Sequence, residues 1–210
     1  MNDFYYASDG NSIATPKHLR KSEKKLAKLQ RKFAKVPKRT KKYLKILRAI
    51  QKCHNKIKCQ RNDFLHKAAN DLLSRADVFV VEKLNIKNMT KKPKAPKKNL
   101  DSDKILPNGA SAKAGLNKSI LDAGWGNFLT FLKYKADLLG KQVVGVNPAN
   151  TSQVCSGCGE IVKKTLSVRI HKCPHCKLVL NRDHNAAINI LRLGLQSLGL
   201  SQEAPTIASV

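Results

Sequence analysis

Acidic residues are scarce in this 210-residue chain: 14 Asp and Glu stand against 41 Lys and Arg, a formal charge of +27. An excess of that size exceeds what a solvated surface needs, and it points to a polyanion as partner. Long apolar runs are also missing. None approaches the roughly 18 residues that span a bilayer, and no basic helix combines strong amphipathicity with bulky aromatics. A membrane is therefore excluded as the partner, and nucleic acid is favoured. The opening MNDFYYASDGN has no charged start followed by an apolar stretch, so no signal peptide is expected. The expected location is the reducing cytoplasm, in association with the nucleoid. Six cysteines in such a compartment read as metal ligands or free thiols rather than disulfides. Aromatics make up 5% of the chain, but apolar residues reach 41%. That is enough for a core.

Residues 4–15, FYYASDGNSIAT, predict a hairpin turning at Asp9-Gly10 or Gly10-Asn11, with Pro16 ending the second strand. Two helices follow. The first is expected from Ser22, as N-cap, to Lys35, with Leu26, Leu29 and Phe33 on one stripe. Pro37 breaks it. The second is expected from Thr40, with apolar positions at steps of three and four through Leu72. Between Lys17 and Arg61 there are 19 Lys and Arg and one acid, Glu23. A basic antiparallel helical arm suits a phosphate backbone, whereas solvated faces usually mix both signs. Cys53 and Cys59 lie six residues apart on the second helix. That spacing turns them about 120° away from each other, so they cannot share a metal from one helix. They read as small apolar residues or free thiols.

ADVFVVEKL (76–84) predicts a buried strand ending at Glu82. Residues 85–118, rich in Lys, Pro, Gly and Ala, predict a mobile basic loop. Residues 118–139 predict one helix with a broad apolar stripe through Trp125, Phe128 and Leu132, closed by Gly140. KQVVGV (141–146) predicts another strand, and a further helix is expected over 184–193.

Cys155-x2-Cys158, fourteen residues, then Cys173-x2-Cys176 has structural zinc spacing. Each pair makes a tight turn that aims two thiolates at one ion, and Gly157 and Gly159 ease the first. Four thiolates leave no open position, so such a zinc is structural. His171 and His175 are candidate substitute ligands, expected to be bystanders. Asp183 precedes HNAAINIL and suits an N-cap; Glu82 suits the polar end of a buried strand. Taken together, an acid at a strand end and one at a helix start, in a basic chain, also suit a divalent cation at a phosphodiester.

Three segments carry a resemblance: VVEKLNIKNM (80–89), LDAGWGNFLTFLKYKA (121–136) and NPANTSQVCSGCG…CPHCKLVLNRDHNAAINIL (147–191). Together with RKSEKKLAKLQRKF and NDFLHKAANDL, they make the chain similar to the TnpB (OrfB) family of insertion-sequence transposase-associated proteins. The resemblance implies an α/β, RNase H-like (RuvC-type) domain with a basic helical hairpin arm and an inserted four-cysteine zinc ribbon. Its implied layout is a partial RuvC-like domain over 1–146, with the arm at 17–76 and the basic loop at 85–118. The ribbon would occupy 147–182, the final RuvC-like helix 183–195 and a disordered tail 196–210. It implies Glu82 and Asp183 as the second and third catalytic acids of an RNA-guided, Mg2+-dependent DNA endonuclease. Implied partners are DNA and a guide RNA.

In the family the first catalytic Asp lies in a G-[IV]-D-x-G strand just before a segment like NDFYYASDG. By that register it would fall two or three residues before Met1. Asp3 is out of register and Asp9 sits in the turn, so neither replaces it. The expectation is a truncated or split nuclease domain without its central first strand, weak or inactive alone, with bare strand edges. Its partner would be a full-length relative or an N-terminal fragment in trans. The alternative is a non-catalytic zinc-ribbon regulator that binds DNA or RNA.

Overall fold

A computed structural model describes residues 3–94, 108–165, 167–200 and 207–209; for the last three only the backbone is described. The chain forms two compact units, one of Met1–Thr15, Ala68–Leu84 and Phe128–Val210, the other of Pro16–Lys67 and Asn85–Asn127.

The first unit holds the strands. β1 (Asp3–Tyr6) and β2 (Ser12–Ala14) form the expected antiparallel hairpin. β3 (Val78–Glu82) and β4 (Gln142–Val146) pair in parallel, in register from Val78 with Gln142 to Glu82 with Val146. Val-rich runs of this kind suit a sheet covered on its faces. β5 (Ile170–Lys172) and β6 (Val179–Asn181) make a second, separate antiparallel ribbon. α6 (Arg182–Leu198) packs on β3. Its Gly194 permits close approach, because a Cβ there would lie 2.2 Å from Val80 Cγ2. Val80, Val146 and Ile190 form the buried contact, flanked by Leu191. Phe128 packs edge-on to Phe4 at 5.0 Å and stacks with Tyr5 at 6.1 Å. These ring contacts fasten the hairpin to this unit.

Two expectations for this unit are corrected. The last helix starts at Arg182 and runs to Leu198, past the expected end at 195. Gly199 closes it with a left-handed φ of 67°, the conformation in which glycine commonly ends helices. The tail placed as disordered from 196 contains a strand, β7 (Ile207–Ser209), paired in parallel with β3 from Val78 to Val80. The physical reason is the open edge of β3: its backbone N–H and C=O groups need partners, and an extended segment supplies them. The edge expected to be bare is therefore covered from within the chain over these three residues. The rest of the tail, 201–206 and 210, lies outside the described residues.

The second unit is a helical hairpin with two further helices. α1 (His18–Ala34) meets the part of α2 (Lys41–Leu73) that belongs to this unit through Leu26, Cys53 and Ile57, with Leu19 and Ile50 beside them. Cys53 is thus a small apolar core residue, and Cys59 is an exposed free thiol. α2 starts beside Thr40 as expected, and Thr40 caps it, its Oγ1 accepting the Tyr43 N–H at 3.1 Å. Ser22 does not cap α1, which begins four residues earlier. Its start is held instead by Asp122, whose two carboxylate oxygens accept the Leu19 N–H at 3.1 and 3.0 Å. A cap reached from 103 residues away leaves no local signal.

The basic stretch 85–118 is partly helical: α3 (Ile86–Met89) and α4 (Ala110–Ala123) occupy it, and 95–107 lies outside the described residues. Asn85 caps α3, its side chain accepting the Asn88 N–H at 3.0 Å. The single helix expected over 118–139 is two, α4 and α5 (Trp125–Leu138). Gly124 separates them at a φ of 74°, a conformation that costs glycine nothing. A Cβ there would sit 3.1 Å from Arg61 Cδ and 3.3 Å from Leu65 Cδ1.

Asp122, 6% exposed, anchors this unit. Besides capping α1, it accepts from Arg61 Nη2 at 2.9 Å, while Arg61 Nε donates to the Asp122 carbonyl at 2.9 Å. Asp122→Ala removes the cap and strands a partly buried guanidinium. The expected cost is about 3–5 kcal/mol, read as a lowered denaturant midpoint of the helical transition; Asp122→Asn loses less.

Candidate metal centre and acid pair

The cysteine module is two matching turns. In each, the first cysteine N–H donates to a carbonyl five residues on: Cys155 to Glu160 at 2.8 Å and Cys173 to Leu178 at 2.9 Å. The fourth residue after each is left-handed, Gly159 at φ 82° and Lys177 at φ 62°. Gly157 is needed for a different reason, since a Cβ there would crowd Leu178 at 3.2 Å and Cys176 Sγ at 3.3 Å.

The four Sγ atoms all lie within 4.8 Å of one another. Cys155 and Cys176 are 3.6 Å apart and Cys158 and Cys173 3.5 Å. A tetrahedron with metal–sulfur bonds of about 2.3 Å has edges of about 3.8 Å, so the arrangement can hold a metal such as zinc. Backbone N–H groups of Cys176 and His175 lower the Cys173 thiol to about 6 despite its burial. The Glu160 N–H pulls Cys158 down, but burial and the neighbouring sulfurs outweigh it and push that thiol up to about 12. Without a cation the cluster shares its protons among four crowded sulfurs. Neither His171 nor His175 joins the group. His171 is fully buried, takes a contact from Lys164 Nζ at Nδ1, and its Nε2 has no hydrogen-bond partner among the described residues.

The predicted acids come from the neighbouring elements β3 and α6. Glu82 ends β3, and Asp183 stands in the first turn of α6. Burial pushes the Glu82 carboxyl above its usual range. A hydrogen bond with Thr151 opposes this, and the charge of Asp183 adds to it. The N-cap reading of Asp183 is corrected: Asn181 is the cap, its side chain accepting the Asp183 N–H at 2.8 Å. The Asp183 carboxylate is half-exposed, with Arg182 Nε at 3.3 Å and Arg169 at 3.6 Å. Among the described residues, neither Glu82 nor Asp183 belongs to a group of three or more His, Cys, Asp or Glu side chains close enough to share a metal ion. Asp9 is engaged elsewhere, accepting the Asn11 N–H at 2.8 Å and facing Arg75 at 3.8 Å.

The sequence reading missed the polar side chains that tie these parts together. Asn185 and Asn189 are 0% and 5% exposed on an apolar helix face. Their i, i+4 spacing within the buried stripe was the available signal. Asn185 accepts the Ser156 N–H at 2.9 Å and donates to the Val154 carbonyl at 2.7 Å. Asn189 donates to the carbonyls of Thr151 at 2.9 Å and Val154 at 2.8 Å. Arg192 donates to the Ser156 carbonyl at 2.6 Å.

In the second unit, Lys41, Lys45, Arg48 and Lys52 line an open groove along α2 with Leu44 and Ala49. No helix among the described residues is long and apolar enough to cross a membrane.

Comparison with known proteins supplies the family. Residues 1–92 match the family model described as "Probable transposase", and residues 125–190 match "Cas12f1-like, TNB domain". The chain is 36% identical over 192 residues to the putative RNA-guided DNA endonuclease InsQ of Escherichia coli (strain K12), covering 89% of this chain and 45% of that protein. It is 33% identical over 190 residues to a putative RNA-guided DNA endonuclease of Streptomyces pristinaespiralis, covering 90% of this chain and 42% of that protein. The Cas12f1 chain of a Cas12f1–sgRNA–target DNA complex solved by cryo-EM aligns with a TM-score of 0.49 and 20% identity, over 86% of this chain and 43% of that one. The two family models and the two sequence relatives define an insertion-sequence transposase-type protein. The chain belongs to the TnpB (OrfB) family. It spans less than half the length of the two endonucleases named here.

The sulfur geometry yields a test. Purified protein is expected to carry one zinc per chain by elemental analysis. A strong chelator is expected to remove it with loss of the β5–β6 ribbon's amide protection, because such metal binding is folding free energy. Cys158→Ser is expected to weaken metal retention severely.

Proposed function

We propose that this chain is the RuvC-like and zinc-ribbon portion of a TnpB-type, RNA-guided DNA endonuclease, with Glu82 and Asp183 as two acids of its Mg2+ site. The observation that carries the reading is the position of these two acids, one at the end of β3 and one in the first turn of α6, within electrostatic reach of each other. The bound cations would supply charge stabilisation at a phosphodiester and acidify the attacking water. The chain's own part is to hold the two carboxylates, with Arg169 and Arg182 beside Asp183 as phosphate-facing cations. Cys155, Cys158, Cys173 and Cys176 would hold a structural zinc that carries no reaction step. The basic hairpin would bind guide RNA or DNA through phosphate contacts.

Hydrolysis of this kind draws on three or more carboxylates. Glu82 and Asp183 are two of them in this proposal, so residues 1–210 assayed alone are expected to bind cation and nucleic acid but to cleave weakly. A full-length relative or an N-terminal fragment in trans would supply the remaining acid. The test is Mg2+-dependent cleavage by residues 1–210 with and without such a partner. Rate restored by the partner and lost again in Glu82→Gln supports the reading; robust cutting by the short chain that survives Glu82→Gln sinks it.

Glu82 also predicts a pH dependence. Its carboxyl is raised in the fold, so the neutral form is favoured there. The associated stability is complete below the ordinary glutamate value of about 4.3 and is lost as pH rises through the raised value. Without divalent cation, Glu82→Gln is expected to melt higher than the parent at pH 8, with the gap closing below about pH 4. Added Mg2+ is expected to stabilise the parent and not the variant.

The second reading, a non-catalytic zinc-ribbon regulator, is favoured by the charge of the hairpin, which calls for phosphate contact and no catalytic acid. Both readings require phosphate contact. The log of the association constant is expected to fall with log salt at a slope steeper than about −3, and Lys45→Ala with Arg48→Ala to flatten it. A flat response would remove both readings.

A further inference from the structure

The two edges of β3 are covered unequally. β4 pairs with it over five residues, Val78–Glu82, whereas β7 pairs with it over three, Val78–Val80. Among the described residues, nothing pairs with Val81 and Glu82 on the β7 side. Phe79, Val80 and Val81 are all buried. Their side chains alternate between the two faces of the sheet, so both faces are covered here. Strands beside β3 are therefore expected to be near-continuous apolar, β-branched runs. β3 is VFVVE and β4 is QVVGV, but β7 is IAS. Alanine is depleted in strands, and one β-branched residue in three gives β7 little strand preference of its own. Three residues is also the short end of strand lengths. The edge needs partners for its N–H and C=O groups, and its present occupant is a poor strand.

We propose that this edge of β3 is an acceptor site for an extended strand of another polypeptide, added in parallel, and that β7 is an exchangeable occupant of it. The partner that fits is the N-terminal fragment acting in trans, an identity that rests on the nuclease reading above. A strand of five apolar, β-branched residues would replace β7 and run on past Val80. It would supply backbone partners beside Val81 and Glu82 that β7 does not, at the interstrand spacing of about 4.8 Å. β7 in turn is a built-in competitor, because a tethered segment acts at an effective concentration on the order of millimolar.

The test uses the full chain and, as probe, a synthetic peptide of residues 201–210, SQEAPTIASV, which carries the sequence that occupies this edge. Adjacent N–H groups of a strand point to opposite edges. Ile207→Pro with Ala208→Pro therefore removes the donor that faces β3, whichever of the two it is. By fluorescence anisotropy, the double variant is expected to bind the labelled peptide saturably. The parent is expected to bind it at least about tenfold more weakly, because its own β7 competes. A peptide carrying the same two prolines is expected to bind neither chain. A second arm needs no variant to fold: in isotope-labelled parent, excess unlabelled peptide is expected to strip amide-exchange protection from residues 207–209 while β3 keeps its own. Equal peptide affinity in variant and parent, or β7 protection that survives excess peptide, would overturn the exchange. Mg2+-dependent cleavage with an N-terminal fragment of a full-length relative then separates the two readings. The double variant is expected to reach half-maximal stimulation at about tenfold less fragment than the parent. Stimulation of both chains at equal fragment concentration would overturn competition by β7. Selective peptide binding to the variant, with neither chain stimulated, would overturn the nuclease reading and the identity of the partner, and would leave the acceptor edge standing.

Discussion

The closeness of α6 to β3 at Gly194 is the constraint on which the first unit turns. Helix and strand approach so tightly that one methyl group would collide with both branches of Val80. That approach fixes the height of α6 over the sheet, and so the position of Asp183, eleven residues earlier, relative to Glu82. It also brings the buried face of the helix down onto the Thr151–Ser156 loop. A larger residue at 194 would need the sheet or the helix to shift, and the acids sit at the ends of the two elements that would move.

The cysteine cluster acts on the same helix from the other side. The loop leaving β4 and the strand β6 entering α6 both connect to it. A metal there would constrain the chain before and after the cluster, including β6, which leads directly into the first turn of α6. The buried asparagines then specify what an apolar interface would leave open. Apolar contact is tolerant of sliding by a fraction of a residue, whereas Asn185 and Asn189 each satisfy identified backbone groups and lose them on any shift. Buried polar groups are costly unless paired, and here each amide has partners. Such a ladder suits a site that needs position more than bulk stability.

Much of this was legible in the sequence, and what was not has a physical reason. The hairpin, β3, β4 and the two CxxC turns carry local signals: turn residues, β-branched runs, fixed spacing. Glu82 and Asp183 could be paired from the residues as a candidate cation site, and the expectation of catalytic roles came from the family resemblance. The N-cap of α1 was misread because its partner, Asp122, arrives from α4, and propensity at Ser22 cannot report a distant carboxylate. The break at Gly124 was hidden inside an unbroken apolar stripe that both flanking helices share. β7 was missed because a three-residue strand has no periodicity of its own; it exists because β3 offers an edge. The backbone partners of Asn185 and Asn189, at Thr151, Val154 and Ser156, gave no signal because they lie 29 to 38 residues earlier in the chain.

The charge of the chain follows the same division of labour. The acids that matter are few and each is held by something: Asp122 by Arg61, Asp71 by Arg75, Asp183 beside two arginines. Glu82 is the exception, half-buried with a hydroxyl and a like charge as neighbours. In a protein with nearly three cations for every anion, a desolvated carboxylate placed near another carboxylate is not a product of general electrostatics. By strand propensity alone, valine or threonine suits that register better than glutamate. In the proposed site, a cation joining the pair would offset the cost of keeping Glu82 there, and this argument does not depend on the family resemblance.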